Sequence, residues 1–172
     1  MSNKVKTSKY VIGIDPGNSG AYALLPITYK RGDKTLIEGR LPVEHQWGKP
    51  KSHRVVDANK LVIELDYYTN ILGGIIEEIT TNNKKLVMNY GICYGSCRTN
   101  EIDLLCLQPL DWMKQVSRIS GFKYEGNKEK CFTFGAYDKI FGECKHKDDN
   151  KCDAALIAYL ALDYYKKGIL LP

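Results

Sequence analysis

The amino-acid sequence predicts an α/β fold in which a mixed sheet, an antiparallel three-strand meander plus two parallel strands, is flanked by helices. Short β-branched segments separated by turn residues fill the N-terminal part of the chain. Beyond them, segments with helical spacing alternate with short apolar ones, which is typical of helices packed on a sheet. The 172 residues contain no internal repeat or obvious linker, and this length suffices for one sizeable core.

The meander is predicted from three apolar segments and the turns between them. Residues 10–14 (YVIGI) and 20–25 (GAYALL) are strand-like and flank the turn-forming residues 15–20 (DPGNSG). Residues 31–33 (RGD) mark a second turn, and residues 35–41 are expected to form the third strand.

The rest of the chain is predicted to alternate helices and strands. Asp57 is a good helix N-cap, and apolar residues follow it at helical spacing. Gly73 and Gly74 are expected to end that helix. The predicted elements in order are a loop at 45–53, a helix at 57–70, a strand at 75–79, a helix at 84–98, a strand at 102–107, a short helix or turn at 112–120, a helix at 127–141, a charged loop at 142–150 and a helix at 151–167. We expect residues 1–9 to be a polar tail and residues 10–172 to form one domain.

Composition narrows the class of function only slightly. The net charge of +5 and the pI of about 8.8 are compatible with a nucleic-acid partner but do not demonstrate one. No stretch approaches the roughly 20 apolar residues of a membrane span, and the N-terminal residues lack the apolar core of a secretion signal. We therefore expect a cytoplasmic protein in a reducing compartment, with no membrane partner.

Six cysteines are spread over the chain without the appearance of a disulfide framework, so we interpret them as reduced thiols. Cys93 and Cys97 are four residues apart, and Cys144 precedes His146 by two. A zinc site could be built from these residues, but there is no C-x-x-C pair. The preferred interpretation is that the cysteines are small buried or surface side chains.

Four acidic residues stand at positions where the predicted elements can bring them together. Asp15 ends the first strand, Glu77 lies in the apolar strand IIEEI, and Asp149 and Asp153 are four residues apart near the start of the last helix. A carboxylate in an apolar strand is costly to bury unless it is paired or binds a metal. Grouped carboxylates suit Mg²⁺ or Mn²⁺, and two such ions can promote phosphodiester hydrolysis.

Each of these acidic residues has a simpler alternative role. Asp15 precedes Pro-Gly and can serve as a turn residue that bonds its own backbone, and Asp149 can be only a helix N-cap. Glu78 can be the buried member of the Glu77–Glu78 pair instead of Glu77. Glu64 in the segment LVIEL also competes with Glu77, although it fits the pattern of the amphipathic helix.

The motifs taken in order resemble those of the RuvC-type Holliday junction resolvases. Residues 11–25 (VIGIDPGNSGAYALL) resemble the family's first strand with its catalytic aspartate, and IIEEI resembles the strand with its catalytic glutamate. NYGICYG looks like the glycine-bearing helix that follows, and QPLDWMK resembles the Pro-x-x-Trp-Lys segment. KDDNKCDAALIAYLAL is similar to the C-terminal motif with its Asp-Ala pair. The resemblance covers residues 10–166, and the compact size and motif spelling are closest to the viral and bacteriophage branch.

The resemblance implies an RNase H-like nuclease domain that binds a four-way DNA junction as a homodimer and resolves it by paired symmetric nicks. It implies that Asp15, Glu77 and Asp153 are metal ligands, with Asp149 as the fourth, and that the cofactor is Mg²⁺ or Mn²⁺. Lys130 matches a basic residue that stabilises charge on the scissile phosphate. No nucleotide cofactor is expected.

Three features of the resemblance leave alternatives open. The fourth ligand stands three or four residues before the last aspartate in this family, which here is Asn150 or Asp149, and Asp148 lies one residue further back. The loop after Glu77 is short and has no clear aromatic wedge to open a junction. Gly91 and Gly95 can serve close helix approach in a dimer interface or packing inside one chain.

DNA contact is expected to be mostly electrostatic and directed at phosphates. The candidate residues are Lys84, Lys85, Arg98, Lys114, Arg118, Lys123, Lys128 and Lys130. Some of the 12 tyrosines could stack on unpaired bases, but Tyr67, Tyr68, Tyr164 and Tyr165 are better interpreted as core or helix-surface residues.

Three other functions fit parts of the sequence. The segment GIDPGNSG also resembles the phosphate loop of actin- and Hsp70-like ATPases, but that fold needs two lobes. Another RNase H-like nuclease, acting on RNA–DNA hybrids or flaps, would carry the same ligands. A non-catalytic junction-binding protein would not need all the acidic residues that this chain retains.

Overall fold

The computed structural model of the protein describes residues 8–17, 19–45, 54–68, 70–125 and 129–170. Most of the predicted polar tail, nearly all of the predicted loop at 45–53, and Lys128 lie outside the described residues. None of the helices within these ranges is long and apolar enough to cross a membrane.

The central sheet has the predicted composition. Its five strands stand in the order β3-β2-β1-β6-β7, with β1, β2 and β3 forming an antiparallel meander and β6 and β7 continuing parallel to β1. The strands are β1 (Tyr10–Asp15), β2 (Ala21–Pro26), β3 (Ile37–Arg40), β6 (Ile71–Glu77) and β7 (Leu104–Leu107). The predicted mixed α/β fold is therefore confirmed.

Five helices cover the two faces of this sheet. They are α1 (Ala58–Tyr67), α2 (Lys84–Thr99), α3 (Pro109–Ser120), α4 (Glu129–Phe141) and α5 (Asp149–Lys166). One core cluster joins α3, α4 and α5 to one face of the sheet, and a second joins α1 and α2 to the opposite face. Asp57 caps α1, as predicted, by accepting a hydrogen bond from the Lys60 backbone at 3.1 Å.

The sequence prediction was wrong at two places. Gly73 and Gly74 do not end α1, because they lie inside β6, which begins at Ile71. Glycine is required at Gly74, since a Cβ there would lie 2.2 Å from the carbonyl oxygen of Ile12 on the neighbouring strand. A small antiparallel pair, β4 (Val43–His45) and β5 (Arg54–Val56), was not predicted.

Helix α5 lies directly against β1, and this close approach positions the rest of the site. A Cβ at Gly13 would lie 2.3 Å from the carbonyl oxygen of Ala154 and 2.2 Å from the backbone nitrogen of Ala158. Only a residue without a side chain allows the strand and helix backbones to meet at this distance. Residues near Ala154 on α5 are thereby held close to the end of β1.

Candidate active site

Asp15 and Glu77 end two neighbouring parallel strands. Ile14 is in register with Ile76, so the next residue of each strand stands beside the other at the same edge of the sheet. Side chains alternate along a strand, so Asp15 shares its face with Gly13, and Glu77 shares its face with Ile75. Gly13 and Ile75 both belong to the α5 side of the sheet. The two carboxylates therefore face α5.

Helix α5 contributes the two other acidic residues. It begins at Asp149, and Asp153 is one turn later, immediately before the residue that contacts β1. The N-cap is Asp148, not Asp149, because the Asp148 carboxylate accepts a hydrogen bond from the Lys151 backbone at 3.3 Å. The proposal that Asp149 serves only as an N-cap is therefore wrong, and Asp149 and Asp153 share one side of the helix.

Burial and neighbouring charges raise the pKa values of Asp15 and Asp153. Burial, with the charge of Asp149 adding to it, raises the pKa of Asp15 to about 6. Burial and the charges of Asp15, Glu77 and Asp149 raise the pKa of Asp153 to about 8. Like charges held together in a low-dielectric site disfavour ionisation unless a cation joins them.

Hydrogen bonds from the surrounding elements fix three of the four carboxylates. The Trp112 indole on α3 donates to Glu77 Oε2 at 2.7 Å, and the Thr133 hydroxyl on α4 donates to Asp153 Oδ1 at 2.8 Å. The Gly17 backbone donates to Asp15 Oδ1 at 2.9 Å. Trp112 and Thr133 are themselves buried, so they hold these acidic groups from the protein interior.

A polar network on the other side of Asp15 distinguishes the three candidates for the fourth ligand. The Asn150 amide nitrogen donates to Asp15 Oδ2 at 3.1 Å, and its oxygen accepts from Arg40 at 3.1 Å. Asp148 pairs with Arg40 at 2.6 Å while it caps α5. Both residues thus bond Arg40, whereas the charge of Asp149 acts on the cluster itself, since it raises the pKa of both Asp15 and Asp153.

Lys130 lies at the open side of the cluster. Its amine is 3.0 Å from Asp149 Oδ2, and this contact lowers the pKa of Asp149. The Lys130 side chain is 79% exposed, so the ion pair contributes little to stability. An exposed amine beside a carboxylate cluster can instead meet an anionic group that approaches from solvent.

The competing glutamates lie elsewhere or have other partners. Glu64 is on α1, which packs against the opposite face of the sheet from α5. Glu78 accepts a hydrogen bond from Gln108 at 2.8 Å and follows Glu77 on the alternate side of the strand. The geometry therefore favours Glu77 as the glutamate of the cluster.

The carboxylate cluster has the chemistry of a divalent-metal site. Its donors are hard oxygens, which Mg²⁺ and Mn²⁺ prefer. Among the described residues, Cys144, His146 and Cys152 form the group that has three potential ligand atoms within 4.8 Å of one another, so the oxygens of the carboxylate cluster are spaced more widely. Mg²⁺ suits such spacing because it keeps several of its waters.

The predicted DNA-contacting residues divide between the two edges of the sheet. Lys84 and Lys85 begin α2, directly after the loop that follows Glu77, and Lys130 is the second residue of α4. Lys114 lies in the middle of α3, two residues after Trp112. Arg98 is at the far end of α2, where it pairs with Asp103, and Arg118 is in the last turn of α3. Lys123 lines a groove with Cys131, the residue after Lys130.

Some residues of the site were not identified from the sequence. Thr133 is three residues after Lys130 on α4, so helical spacing could have placed both at the site. Trp112 lies within the segment QPLDWMK, which resembles a family motif, but no local sequence pattern predicts its hydrogen bond to Glu77. Arg40 reaches the site from β3, and only the sheet order brings it there.

Comparison with solved structures identifies the fold class as that of the RuvC-type, RNase H-like proteins. The chain matches the structure of RuvC from Thermus thermophilus with a TM-score of 0.62 and 18% identity, covering 95% of this chain and 99% of that one. It also matches T. thermophilus RuvC in complex with a Holliday junction substrate, with a TM-score of 0.58, 17% identity and the same coverage. The resemblance predicted from the motifs is confirmed at the level of the fold. No protein-family profile matches, and no curated protein matches.

Proposed function

We propose that the protein is a divalent-metal-dependent DNA endonuclease that resolves four-way junctions. The observation that carries the proposal is the meeting of Asp15, Glu77, Asp149 and Asp153 at one edge of a RuvC-like sheet. Burial, with the charges of Asp15, Glu77 and Asp149 adding to it, raises the pKa of Asp153 to about 8, and a bound cation would stabilise the ionised carboxylates. The similarity to a RuvC structure that holds a Holliday junction substrate supports this substrate class.

Two divalent ions, Mg²⁺ or Mn²⁺, would be held by these four carboxylates. When bound, such ions supply activation of a water nucleophile and stabilisation of the leaving oxygen in phosphodiester hydrolysis. Asp15, Glu77 and Asp153 are the innermost ligands in this proposal, because each is fixed by a hydrogen bond from the protein. Asp149 is the outer ligand next to Lys130.

The chain's own groups orient the ligands and bind the phosphate. Trp112 and Thr133 each bond one oxygen of a carboxylate and so fix the orientation of Glu77 and Asp153. Lys130 is free to swing from Asp149 to a phosphate oxygen, because its side chain is exposed. A cation at that position stabilises the charge that develops on the phosphate during cleavage.

The DNA-binding surface follows from the edge on which the cluster lies. We assign phosphate contacts to Lys84, Lys85, Lys114 and Lys130, which stand near the carboxylate edge. Arg98 and Arg118 lie at the opposite ends of their helices, so we do not include them. Gln108 forms hydrogen bonds with Glu78 and Thr80. These bonds connect the loop after β6 to α3 and hold the starts of α2 and α3 in place.

We further propose that the protein acts as a homodimer through the face formed by α1 and α2. Large apolar side chains are exposed there, including Ile63 (69%), Tyr67 (76%) and Val87 (46%). A Cβ at Gly91 or Gly95 would meet nothing within 4 Å among the residues that the structure describes, so no contact there requires glycine at these two positions. A twofold dimer would present two carboxylate clusters to a junction that itself has near-twofold symmetry.

The test is cleavage of a labelled synthetic four-way junction in Mg²⁺ or Mn²⁺, beside a linear duplex of matched sequence. We expect paired symmetric nicks in the junction only, and none with Asp153→Asn. Asp163→Asn is the matched control, since it removes a carboxylate from the far end of α5, where Asp163 pairs with Lys167 at 2.6 Å. That control should cut normally.

Other outcomes of the same assay would contradict parts of the proposal. Binding of the junction without cleavage by the unaltered protein would indicate a non-catalytic junction-binding protein. Preferential cleavage of an RNA–DNA hybrid or a flap, included as additional substrates, would indicate a related nuclease with another substrate. Equal cleavage of the linear duplex would show that the protein is not specific for junctions.

A further inference from the structure

A second cluster of metal-binding side chains lies outside the carboxylate site. Cys144 Sγ is 3.2 Å from Cys152 Sγ and 3.6 Å from His146 Nδ1. All three side chains can direct one ligand atom to a common point, since these atoms lie within 4.8 Å of one another. In the sequence, the second cysteine follows His146 by six residues, and there is no paired-cysteine motif of the usual kind. The three residues come together only in the folded chain.

We propose that Cys144, His146 and Cys152 form a zinc site that anchors the segment preceding α5. Two thiolates and an imidazole are the soft and intermediate donors that Zn²⁺ selects over Mg²⁺. A tetrahedral ion with Zn–S bonds of about 2.3 Å and a Zn–N bond of about 2.0 Å separates its ligand atoms by roughly 3.5 to 3.8 Å. The separations around Cys144 are close to these values.

The histidine lies between the cysteines and Glu38. Its Nδ1 atom accepts a hydrogen bond from the Asp148 backbone at 3.1 Å and lies 3.6 Å from Cys144 Sγ, so a zinc ion bound by Nδ1 would replace this hydrogen bond. The other ring nitrogen, Nε2, is 3.3 Å from Glu38 Oε2. Metal-bound histidines commonly donate their second N–H to a carboxylate, which fixes the ring and strengthens the ligand.

Glu38 connects the cluster to β3. Its side chain is 15% exposed, its Oε2 atom lies 3.3 Å from His146 Nε2, and its carboxylate also bonds the Tyr137 side chain. A zinc ion on His146 would polarise the Nε2–H group toward this carboxylate. Because His146 is exposed, a water molecule can complete the coordination.

The location of the site indicates a structural role for the ion, not a catalytic one. Cys144 and His146 belong to the loop between α4 and α5, Cys152 is in the first turns of α5, and Glu38 is on β3. The ion would therefore join three segments that surround Asp148 and Asp149. Cys152 is next to Asp153, but its thiol lies on the buried side of the helix. We infer that zinc holds the start of α5 so that its acidic residues meet Asp15.

The first test is the metal content of protein purified under reducing conditions with zinc in the medium. A single zinc ion per chain is expected, lost in Cys144→Ser and in His146→Asn and retained in Cys131→Ser, which alters an exposed cysteine outside the cluster. The double variant Asp15→Asn/Asp153→Asn should also keep its zinc, which separates this site from the carboxylates. Glu38→Gln should weaken zinc binding by about 10- to 100-fold.

The second test replaces zinc by Co²⁺, whose spectrum reports its ligands. The unaltered protein should show tetrahedral ligand-field bands and a thiolate charge-transfer band, and Cys144→Ser should lose them while circular dichroism shows that it folds. Zinc-free protein whose Cys144 and Cys152 form a disulfide would overturn the proposal, as would a Co²⁺ spectrum without thiolate character. These measurements do not depend on DNA cleavage, so they test the zinc site independently of the proposed nuclease function.

Discussion

At the scale of single residues, the hydrogen bond from Thr133 to Asp153 controls the least neutralised carboxylate of the site. The bond is 2.8 Å long and lowers the pKa of a group that burial and neighbouring charges raise. Thr133→Val keeps the shape and removes the donor. A hydrogen bond to a charged group contributes about 1.5–3 kcal/mol, so the pKa of Asp153 should rise further by about one to two units.

The measurement for Thr133→Val is the pH profile of junction cleavage at fixed Mg²⁺. Its rising limb should shift to higher pH, and Thr133→Ser, which restores the hydroxyl, should shift it back. Thr99→Val is the matched control, because Thr99 bonds the Gly95 carbonyl on α2, far from the site. An unshifted profile with uniformly lower activity would show that Thr133 acts only through packing.

The raised pKa values of Asp15 and Asp153 also predict how metal-free protein responds to pH. Between pH 4 and pH 8 the folded protein holds protons that the unfolded chain has released, since the two values are about 6 and about 8 against 3.8 in the unfolded state. The free energy of unfolding should therefore fall as pH rises through this window. Asp149 shifts in the opposite direction, but its ionisation lies below the window.

Mg²⁺ should reverse this dependence. The ion binds deprotonated carboxylates, so its affinity and the rise in Tm that it causes should increase from pH 5 to pH 8. Thermal unfolding with and without Mg²⁺, in protein kept reduced and at constant zinc, provides the measurement. Asp15→Asn/Asp153→Asn should abolish both trends, and a stability that rises with pH in the absence of Mg²⁺ would contradict the proposed cluster.

At the scale of elements, the contact between β1 and α5 is the packing on which the site depends. Gly13→Ala would place a methyl group 2.2 Å from the Ala158 backbone nitrogen and 2.3 Å from the Ala154 carbonyl oxygen. Backbone atoms at that distance must move, so α5 should shift away from β1 and carry Asp153 with it. Overpacking of this kind costs about 1–3 kcal/mol or more.

Urea unfolding and junction cleavage should both report the Gly13→Ala change. Gly91→Ala is the comparison, because its added methyl group meets nothing within 4 Å and alanine favours a helix over glycine by about 1 kcal/mol. We expect lower stability and strongly reduced cleavage for the first variant and equal or higher stability for the second. Unchanged stability of Gly13→Ala would mean that the strand and helix are less closely packed than described.

Elements whose signals are local were predictable, and those set by tertiary contacts were not. The N-cap of α1 at Asp57 and the meander turns have recognisable residue types. By contrast, Gly73 and Gly74 look like a helix end, but they lie in β6 because Ile12 of β1 leaves no room there for a side chain. The short pairing of β4 with β5 has no pattern that would distinguish it from a loop.

The same division applies to the site. Asp15, Glu77 and Asp153 were predictable because strand ends and a helix start place them at one edge. Arg40 and the zinc ligands come together only when β3 and the loop before α5 are brought to the start of α5. Interactions between residues far apart in the chain, such as Trp112 with Glu77, have no local sequence signal.

At the scale of the whole molecule, the proposed dimer through α1 and α2 links the fold to paired cleavage. The exposed apolar side chains of this face include Ile63 and Tyr67, and Ile63 lines a groove with Val62 and Ile92. Burying this surface against a second copy would remove it from water. A charge placed in the groove would instead have to be desolvated on association.

Ile63→Asp should therefore produce a monomer that keeps its fold, because Ile63 is 69% exposed and contributes little to the core. Sedimentation should show the unaltered protein as a dimer and the variant as a monomer, with unchanged circular dichroism. Ile169→Asp, at a similarly exposed site after α5, is the matched control and should remain dimeric. On a four-way junction the monomer should give single, uncoupled nicks. Its own carboxylate cluster is intact, but no second subunit holds another cluster opposite it. Paired nicks from a monomeric variant would show that α1 and α2 do not couple the two cleavage events.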